Sequence, residues 1–386
     1  MKKIVHVVDY LMPDMGYQEF LLPKWNAKSD YDVYIITSDR YTPFDNYVDT
    51  WGKILGDRIC GEGETHYKGV NIIRLPVLLE FKSRPCIKGL ARTINKLEPD
   101  LLFIHGTGSF SIYQCAFSLS NAPFQKFADN HMIVDVIQRG WIQSIYYFLH
   151  KFFMKRFLSQ SIDLFFGVTK DSCDYLETYE GVPKEKLRLL SLGVDTEIFY
   201  PIEEYKNPKS DSLIVQSGKL NHDKKPQWTA KAVLSLLEAG KDITLKFIGN
   251  GSIEIMESIK QDFYNKGFED RLDIVDLLPL SDLAVEFNKA DLVVFPDGTS
   301  LSAVEAAACS TEVLMTDLPA SVEREKNGIG KTYPRGNIDS LASTINSLIE
   351  DKEKLHQMGK VSGENARKLY SYDSISKKML ELAKLD

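Results

Sequence analysis

FPDGTSLSAVEAAACSTEVLMTD, residues Phe295 to Asp317, reads as strand, tight loop, helix and strand in quick succession. The apolar run Leu292–Phe295 stops at Pro296, and the small polar residues Asp297–Ser300 form the loop. An Ala-rich segment follows, with a single acid, Glu305, near its start. Such a loop brings backbone N–H groups and a helix N-terminus to one point, which favours an anion. A carboxylate is an acceptor only. At the start of an Ala-rich helix Glu305 has little structural purpose, and it suits the hydroxyl groups of a ribose or another sugar.

The rest of the chain bounds this reading. Its 386 residues exceed one ordinary core and predict two domains. With 44% hydrophobic and 26% charged residues it belongs to neither the disordered nor the fibrous classes. Residues 1–195 balance 23 basic against 23 acidic side chains, so the net charge of −7 arises entirely in the second half. That balance excludes a general nucleic-acid binder. Five scattered cysteines without CxxC spacing predict neither a disulfide framework nor a zinc site, and point to a reducing cytoplasm. The start, MKKIVHVVDYLMP, does not read as a signal peptide, and no apolar run is long enough to predict a membrane span.

Short apolar runs alternate with helical stretches throughout. Ile4–Val8, Tyr31–Thr37, Leu101–His105 and Leu164–Val168 read as buried strands in the first half. Ser212–Ser217, Ile243–Ile248, Leu292–Phe295 and Val313–Thr316 do so in the second. The pattern predicts an α/β fold of two doubly wound parallel units, joined by a linker near 196–210 and closed by amphipathic helices at about 338–350, 353–369 and 373–385. Ligands of such sheets lie beyond the carboxyl ends of the strands.

Two further loops bear on chemistry. After Ser212–Ser217 comes Gly218-Lys219-Leu220-Asn221-His222-Asp223-Lys224, in which Gly218 permits a sharp turn and two lysines can aim at one anion. Two such cations can neutralise a diphosphate leaving group without a metal, and a solvated charged loop is the alternative. Gly249-Asn250-Gly251-Ser252 follows a strand, but Glu254 occupies the third glycine position of a dinucleotide fingerprint, so a tight turn near a nucleotide is expected instead. No Asp-x-Asp at a strand end and no His/Cys cluster suggests a metal site.

Together these residues resemble the retaining GT-B glycosyltransferases of the family-4 type, also called glycosyl transferases group 1. The resemblance covers nearly the whole chain. The family's glycine loop corresponds to Pro13–Glu19, and its linker signature to Gly193-Val194-Asp195 with Phe199-Tyr200-Pro201. Its Gly-Arg-Leu-x-x-x-Lys loop corresponds to Gly218-Lys219-Leu220 and Lys224, and its acid-x7-acid motif to Asp297 and Glu305. The run from Gly328 through Leu341, Leu355, Met358 and Ala366 to Tyr372 is also similar. The chain departs from the pattern in Asp297 for glutamate, Lys219 for arginine and Gly16-Tyr17 for a Gly-Gly pair. It departs again in Ser300, in Ser310 with Glu312 for Gly and Pro, and in a shorter stretch before Glu305.

The resemblance implies two Rossmann-like domains facing across a cleft: 1–200 on the acceptor side and 208–368 binding a nucleotide sugar. Residues 369–386 would pack back on the first domain. It implies a metal-independent, retaining hexosyl or N-acetylhexosaminyl transfer from a nucleotide-diphosphate sugar, a UDP-sugar rather than a GDP-sugar, with no prosthetic group. Lys219 and Lys224 would take the diphosphate and Glu305 the ribose. Asp297 with Gly298, Thr299, Ser300 and Leu301 would hold the sugar. Gly218, Gly249 and Leu278 would line the nucleotide, and Gly16 and Tyr17 would close over the phosphates. His131, with His105 as competitor, would stand beside the sugar. His131, Asp297 and Lys224 are thus the expected catalytic set.

Trp141–Leu158, WIQSIYYFLHKFFMKRFL, mixes aromatics with His150, Lys151, Lys155 and Arg156, and Lys82, Arg84, Lys88 and Arg92 form a second basic stretch. This predicts an interfacial helix and a peripheral contact with the inner face of a membrane, which suits a glycan or lipid-linked acceptor. A helix buried between strands is the alternative. Two other functions share the expected fold: a nucleotide-sugar epimerase or phosphorylase, and a non-catalytic nucleotide-sugar-binding protein.

Overall fold

The computed structural model describes residues 1–385 apart from 45, 46, 50, 133–140, 206–210 and 299. In chain order the strands are β1 Lys3–Val8, β2 Asp32–Ser38, β3 Gly63–Tyr67, β4 Val70–Leu75, β5 Val77–Glu80, β6 Pro85–Ile87, β7 Leu101–His105, β8 Gln125–Asn130, β9 Leu164–Gly167 and β10 Leu187–Leu189, followed by β11 Ser212–Ser217, β12 Ile243–Ile248, β13 Leu272–Val275, β14 Leu292–Phe295, β15 Glu312–Thr316 and β16 Lys331–Tyr333. Chain contacts divide them into two compact units, Met1–Leu192 with Tyr372–Asp386, and Gly193–Ser371.

The second unit is a six-stranded sheet in the order β13-β12-β11-β14-β15-β16, with every pairing parallel. Along its strands successive residues face opposite sides. Ile214, Leu292, Val294 and Leu314 enter one buried cluster, and Val215, Val293, Phe295, Val313 and Met315 the other. Helices cover both sides, so the strands read as continuous apolar runs rather than alternating ones. The strand order reverses between β11 and β14, the topological switch point at which doubly wound sheets bind ligands.

The first unit repeats this plan on a larger sheet, β10-β9-β8-β7-β1-β2-β4-β3, parallel except for the edge strand β3. Its switch point lies between β1 and β7. Ile4, Val8, Leu101, Phe103 and Phe127 face one side. Val5, Val7, Leu102, Ile104 and Ala128 face the other. By the same alternation His6, His105 and Asp129 lie on the first side, at or near the ends of three adjacent strands. The helices Gln18–Lys28 and Tyr372–Leu382 pack on that side through Phe20, Leu21, Leu22, Tyr372, Ile375, Met379 and Leu380. The β5–β6 hairpin, which the sequence patterning does not mark, stands apart as its own two-stranded ribbon.

Gly249 and Gly251 have a packing reason. Leu220 N–H donates to Asn250 O at 2.9 Å and Ser252 N–H to Leu220 O at 3.1 Å, so the loops after β11 and β12 run backbone against backbone. A Cβ at Gly249 would stand 2.1 Å from Gly218 O, and one at Gly251 2.0 Å from Leu220 O. The tight turn expected from the sequence is therefore a clamp that shapes the Gly218–Lys224 loop. Gly251→Ala should lower the unfolding free energy by about 1–3 kcal/mol, the usual cost of overpacking against atoms that cannot yield, as read by urea denaturation. An unchanged midpoint would mean the loops are free to separate.

Candidate functional site

At the switch point of the second unit two loops meet. The first leaves β11 through Gly218, whose φ of 116° suits only glycine. It folds back by hydrogen bonds from Lys224 N–H and Lys225 N–H to Asn221 O, at 3.1 and 3.2 Å, while Gln216 Nε2 donates to Lys224 O at 3.1 Å. Lys224 is thereby half-buried and Lys219 exposed. Burial lowers the Lys224 pKa, its neighbour Lys219 adds to this, and Asp297 and Asp223 oppose it.

The second loop leaves β14. A Cβ at Gly298, φ 75°, would stand 2.8 Å from Lys224 Nζ, so the ammonium reaches over the loop backbone. Asp297 is buried, and its carboxylate is oriented by the Arg335 guanidinium: Nε donates to Oδ1 at 3.0 Å and Nη2 to Oδ2 at 3.3 Å. Gly298 N–H donates to the same Oδ1 at 2.8 Å. Two more side chains pin the loop through its carbonyls. Tyr333 O–H donates to Pro296 O at 2.6 Å, and Arg324 Nη1 donates to Ser300 O at 2.7 Å. Sequence reasoning missed Arg324, Tyr333 and Arg335. The turn Tyr333-Pro334-Arg335-Gly336, directly after an edge strand, was the available signal for two of them.

The helix that follows, Ser302–Ala308, spans seven residues, and Leu301 enters it already in helical conformation without a side-chain cap. Ser300 Oγ accepts from Ser302 N–H at 3.2 Å. The helix is shorter than the opening motif suggests, and one of its free donors is already used, so the helix offers little positive charge of its own. Glu305 lies in the first turn. Burial raises its pKa to about 7, against a hydrogen bond from Ser302 that lowers it. Gly249 donates its N–H to Val275 O at 2.9 Å, and Leu278 packs partly buried against the cluster behind β14. Thr299 lies outside the described residues.

The first unit has its own group of site residues. Gly16, φ 72°, closes a 3-10 turn at Pro13–Met15, and the exposed Tyr17 begins the helix Gln18–Lys28. Gln18 Nε2 donates to Asp129 Oδ2 at 3.2 Å. His105 Nδ1 lies 2.9 Å from the same oxygen and Gly106 N–H donates to Oδ1 at 2.9 Å. His131 follows β8 with Nε2 3.6 Å from Asp129 Oδ2 and 37% of its side chain exposed. Desolvation lowers its pKa, but the Asp129 carboxylate, with Glu19 further off, carries it up to about 9. Of the two candidate histidines, His105 is buried and His131 reaches solvent.

The aromatic segment is not covered. Its helix, Trp141–Phe153, leaves Ile145, Phe148, Leu149, Phe152 and Phe153 exposed, while His150 and Met154 face inward. It continues as a π-helical turn, Met154–Leu158, with Lys155 and Arg156 exposed. In the same unit the β5–β6 hairpin exposes Leu78, Leu79 and Phe81, with Lys82 over the Phe81 ring. Among the described residues no helix is long and apolar enough to cross a membrane.

Sheet order and loop placement define a protein with two doubly wound units, each keeping charged residues at its switch point. Residues 201–368 match the family Glycosyl transferases group 1, and residues 24–198 match Glycosyltransferase Family 4. The two glycosyltransferase family matches cover the two halves of the chain in turn, which supports a group 1 glycosyltransferase of the GT-B fold. It is 26% identical over 215 residues to the D-inositol 3-phosphate glycosyltransferase of Corynebacterium glutamicum, an alignment covering 50% of each chain. It is 25% identical over 235 residues to the N,N'-diacetylbacillosaminyl-diphospho-undecaprenol alpha-1,3-N-acetylgalactosaminyltransferase of Campylobacter jejuni, covering 56% of this chain and 59% of that one. The chain thus spans little more than half the length of the curated relatives it matches. Among solved structures, sucrose-phosphate synthase from Thermosynechococcus elongatus superposes with a TM-score of 0.72 at 16% identity, over 100% of this chain and 99% of that one. Anabaena HepE in complex with UDP and glucose superposes with a TM-score of 0.68 at 14% identity, over 100% of both.

The raised Glu305 pKa has a consequence for stability. In the unfolded chain Glu305 ionises near 4.5, and in the folded protein near 7. The folded state therefore holds the extra proton between these values, and stability contributed below pH 4.5 is lost as pH rises through 7. Glu305→Gln should remove this slope. Relative to wild type the variant should gain on the order of 3 kcal/mol between pH 4 and pH 8, measured by urea unfolding at both. Parallel profiles for the two proteins would refute a buried, ligand-free carboxyl.

Proposed function

We propose that the chain transfers a hexosyl or N-acetylhexosaminyl group, with retention and without a metal, from a nucleotide-diphosphate sugar to a glycan or lipid-linked glycan acceptor. The observation that carries the proposal is the meeting of the Lys219–Lys224 loop and the Asp297–Glu305 loop at the switch point of the second unit. Lys224 and Lys219 bind the diphosphate, Glu305 accepts hydrogen bonds from the ribose hydroxyls, and Asp297, Gly298, Ser300 and Leu301 hold the sugar. Thr299 is assigned to the same role on the resemblance alone. Gly218, Gly249 and Leu278 line the nucleotide. Gly16, Tyr17 and His131 are assigned to the sugar and phosphates on the resemblance alone.

The bond from the anomeric carbon to the phosphate oxygen breaks, and its electron pair leaves with the diphosphate. Charge grows on the leaving side in the transition state, where the two ammonium groups act most strongly. The acceptor hydroxyl forms the new bond on the same face and gives its proton to the departing phosphate oxygen. No enzyme nucleophile is required. Asp297 is held by Arg335 and Gly298 N–H, which suits an orienting acceptor for sugar hydroxyls better than a nucleophile. Anabaena HepE has been solved with UDP, with UDP and glucose, and with UDP-glucose, which favours a uridine donor for this chain. The name of the Campylobacter relative, with its undecaprenol diphosphate acceptor, favours a lipid-linked acceptor.

A lipid-linked acceptor also fits the exposed Ile145, Phe148, Leu149, Phe152 and Phe153, bordered by Lys155 and Arg156, as an interfacial surface at the inner face of a membrane. Screened by thermal shift, UDP should stabilise the protein and GDP should not. With a UDP-sugar, Lys224→Ala should lower kcat/KM by about 100- to 1,000-fold, and full turnover by this variant would remove the diphosphate assignment. In co-sedimentation, vesicles with anionic lipid should bind the protein and neutral ones should not, and the double variant Phe148→Ser, Phe152→Ser should abolish binding. Equal binding to neutral vesicles, or none to anionic ones, would remove the membrane surface.

A further inference from the structure

We propose that a buried chain of side chains, Ser376–Asn26–His6–His105–Asp129, orients the carboxylate that faces His131, so that the helix Tyr372–Leu382 is a working part of the site in the first unit. The proposal rests on the reading of His131 as a site residue and extends it to five residues that touch no ligand. Asn26 Nδ2 donates to Ser376 Oγ at 2.7 Å. His6 Nε2 lies 2.9 Å from Asn26 Oδ1, and His6 Nδ1 lies 3.1 Å from His105 Nε2. His105 Nδ1 lies 2.9 Å from Asp129 Oδ2, and His131 Nε2 lies 3.6 Å from that oxygen. Ser376, Asn26, His6 and Asp129 are fully buried and His105 nearly so.

The backbone dictates that these groups meet. Register pairs His105 with Asp129 across β7 and β8, and alternation turns His6 to the same side of the sheet. Both helices on that side then contribute polar residues to a largely apolar layer, Asn26 and Gln18 from one and Ser376 from the other, among Phe20, Leu22, Tyr372 and Met379. A polar file through such a layer is a poor way to gain stability, because an apolar set of the same volume serves as well or better. Asp129 connects this file to His131, whose side chain is 37% exposed.

Donor order gives the file a direction. The Asp129 carboxylate can only accept, so His105 Nδ1–H donates to it. Burial lowers the His6 pKa well below the ordinary value, and this ring is neutral with one proton. With the Asn26 carbonyl toward His6, as found, His6 donates to Asn26 and accepts from His105, which must then carry a proton on each ring nitrogen. With the amide turned over, Asn26 donates to His6, His6 to His105, and His105 to Asp129. In both arrangements Oδ2 receives the His105 proton, and the carboxylate is held ionised in one orientation. Asn130 fixes the other flank of His131: its Oδ1 accepts from Met132 N–H at 2.5 Å, and its Nδ2 donates to Glu180 Oε1 at 3.0 Å. Among the described residues, the charged groups that act on His131 are Asp129 and Glu19. His131 is thereby presented as a cation with a fixed ring, suited to a phosphate or an electronegative sugar oxygen.

The test is an NMR pH titration of the histidine rings in the full chain, with the His131 signal assigned by its loss in His131→Gln. Asp129→Asn should lower the His131 midpoint from about 9 toward 6.5. His105→Phe removes a donor that shares the Asp129 charge, so the His131 midpoint should rise, and kcat should fall more than the donor KM as the carboxylate loses its fixed orientation. Asn26→Leu should act in the same direction to a smaller extent. If either larger change prevents folding, Ser376→Ala removes only the far hydroxyl and should reduce kcat with the donor KM unchanged. Variants that unfold cooperatively, bind UDP as wild type does and leave both the His131 midpoint and kcat in place would overturn the proposal. His131→Gln with full turnover would instead overturn the role of His131 itself, while the titration still decides the coupling.

Discussion

A parallel strand cannot turn directly into its neighbour, and the crossover this imposes shapes both units. Each connection must pass through a helix on one face or the other. Where the direction of winding changes, the loops after the two central strands diverge and leave a gap that no helix fills. In the second unit these are the loops after β11 and β14, in the first those after β1 and β7. The charged residues of both candidate sites lie on or beside these loops. The chemistry is therefore placed by topology, and the side chains refine it.

Buried carboxylates are the second recurring element, and each is handled differently. Asp297 is paired with a guanidinium and a backbone N–H. Asp129 is held far below the usual carboxylate range by His105 and His131 in spite of its burial. Glu305 has a serine hydroxyl and is pushed up to about 7 by burial. An acid with partners has a fixed orientation, and one left short of donors has more room for added hydroxyls. Environment thus makes Asp297 and Asp129 the more rigid acceptors and Glu305 the less committed one.

Much of this was legible in the sequence. Short apolar runs marked the central strands because burial on both faces removes any alternation. Lys219, Lys224, Asp297 and Glu305 were legible because each stands just past such a run. Arg335, Arg324 and Tyr333 were not. They belong to neighbouring connections and act largely on backbone carbonyls, and a single sequence carries no record of such pairing. The glycines at 249 and 251 looked like a nucleotide turn, and their reason is the carbonyls of Gly218 and Leu220. The resemblance alone prefers His131 to His105, and the structure adds that His105 is buried while His131 reaches solvent. Ser310, where the resembling family has glycine, adopts φ 59° and so takes the glycine's backbone conformation with a side chain attached. The β5–β6 hairpin escaped notice because its exposed Leu78, Leu79 and Phe81 break the expected inward pattern.

The helix Tyr372–Leu382 belongs to the unit that begins the chain, and this bears on the order of folding. Residues 193–371 are continuous and can fold as they emerge from the ribosome. The first unit is split: its strands are all made by Leu189, but the side of Gln18–Lys28 that meets the last helix stays uncovered until Ile375, Met379 and Leu380 have been made. Synthesis usually completes the N-terminal domain first, and here that domain must wait for its last helix. For the time needed to translate the second unit, part of the apolar layer over the first sheet stands open. That interval, rather than the finished structure, is when the chain is most open to chaperones, proteases and self-association.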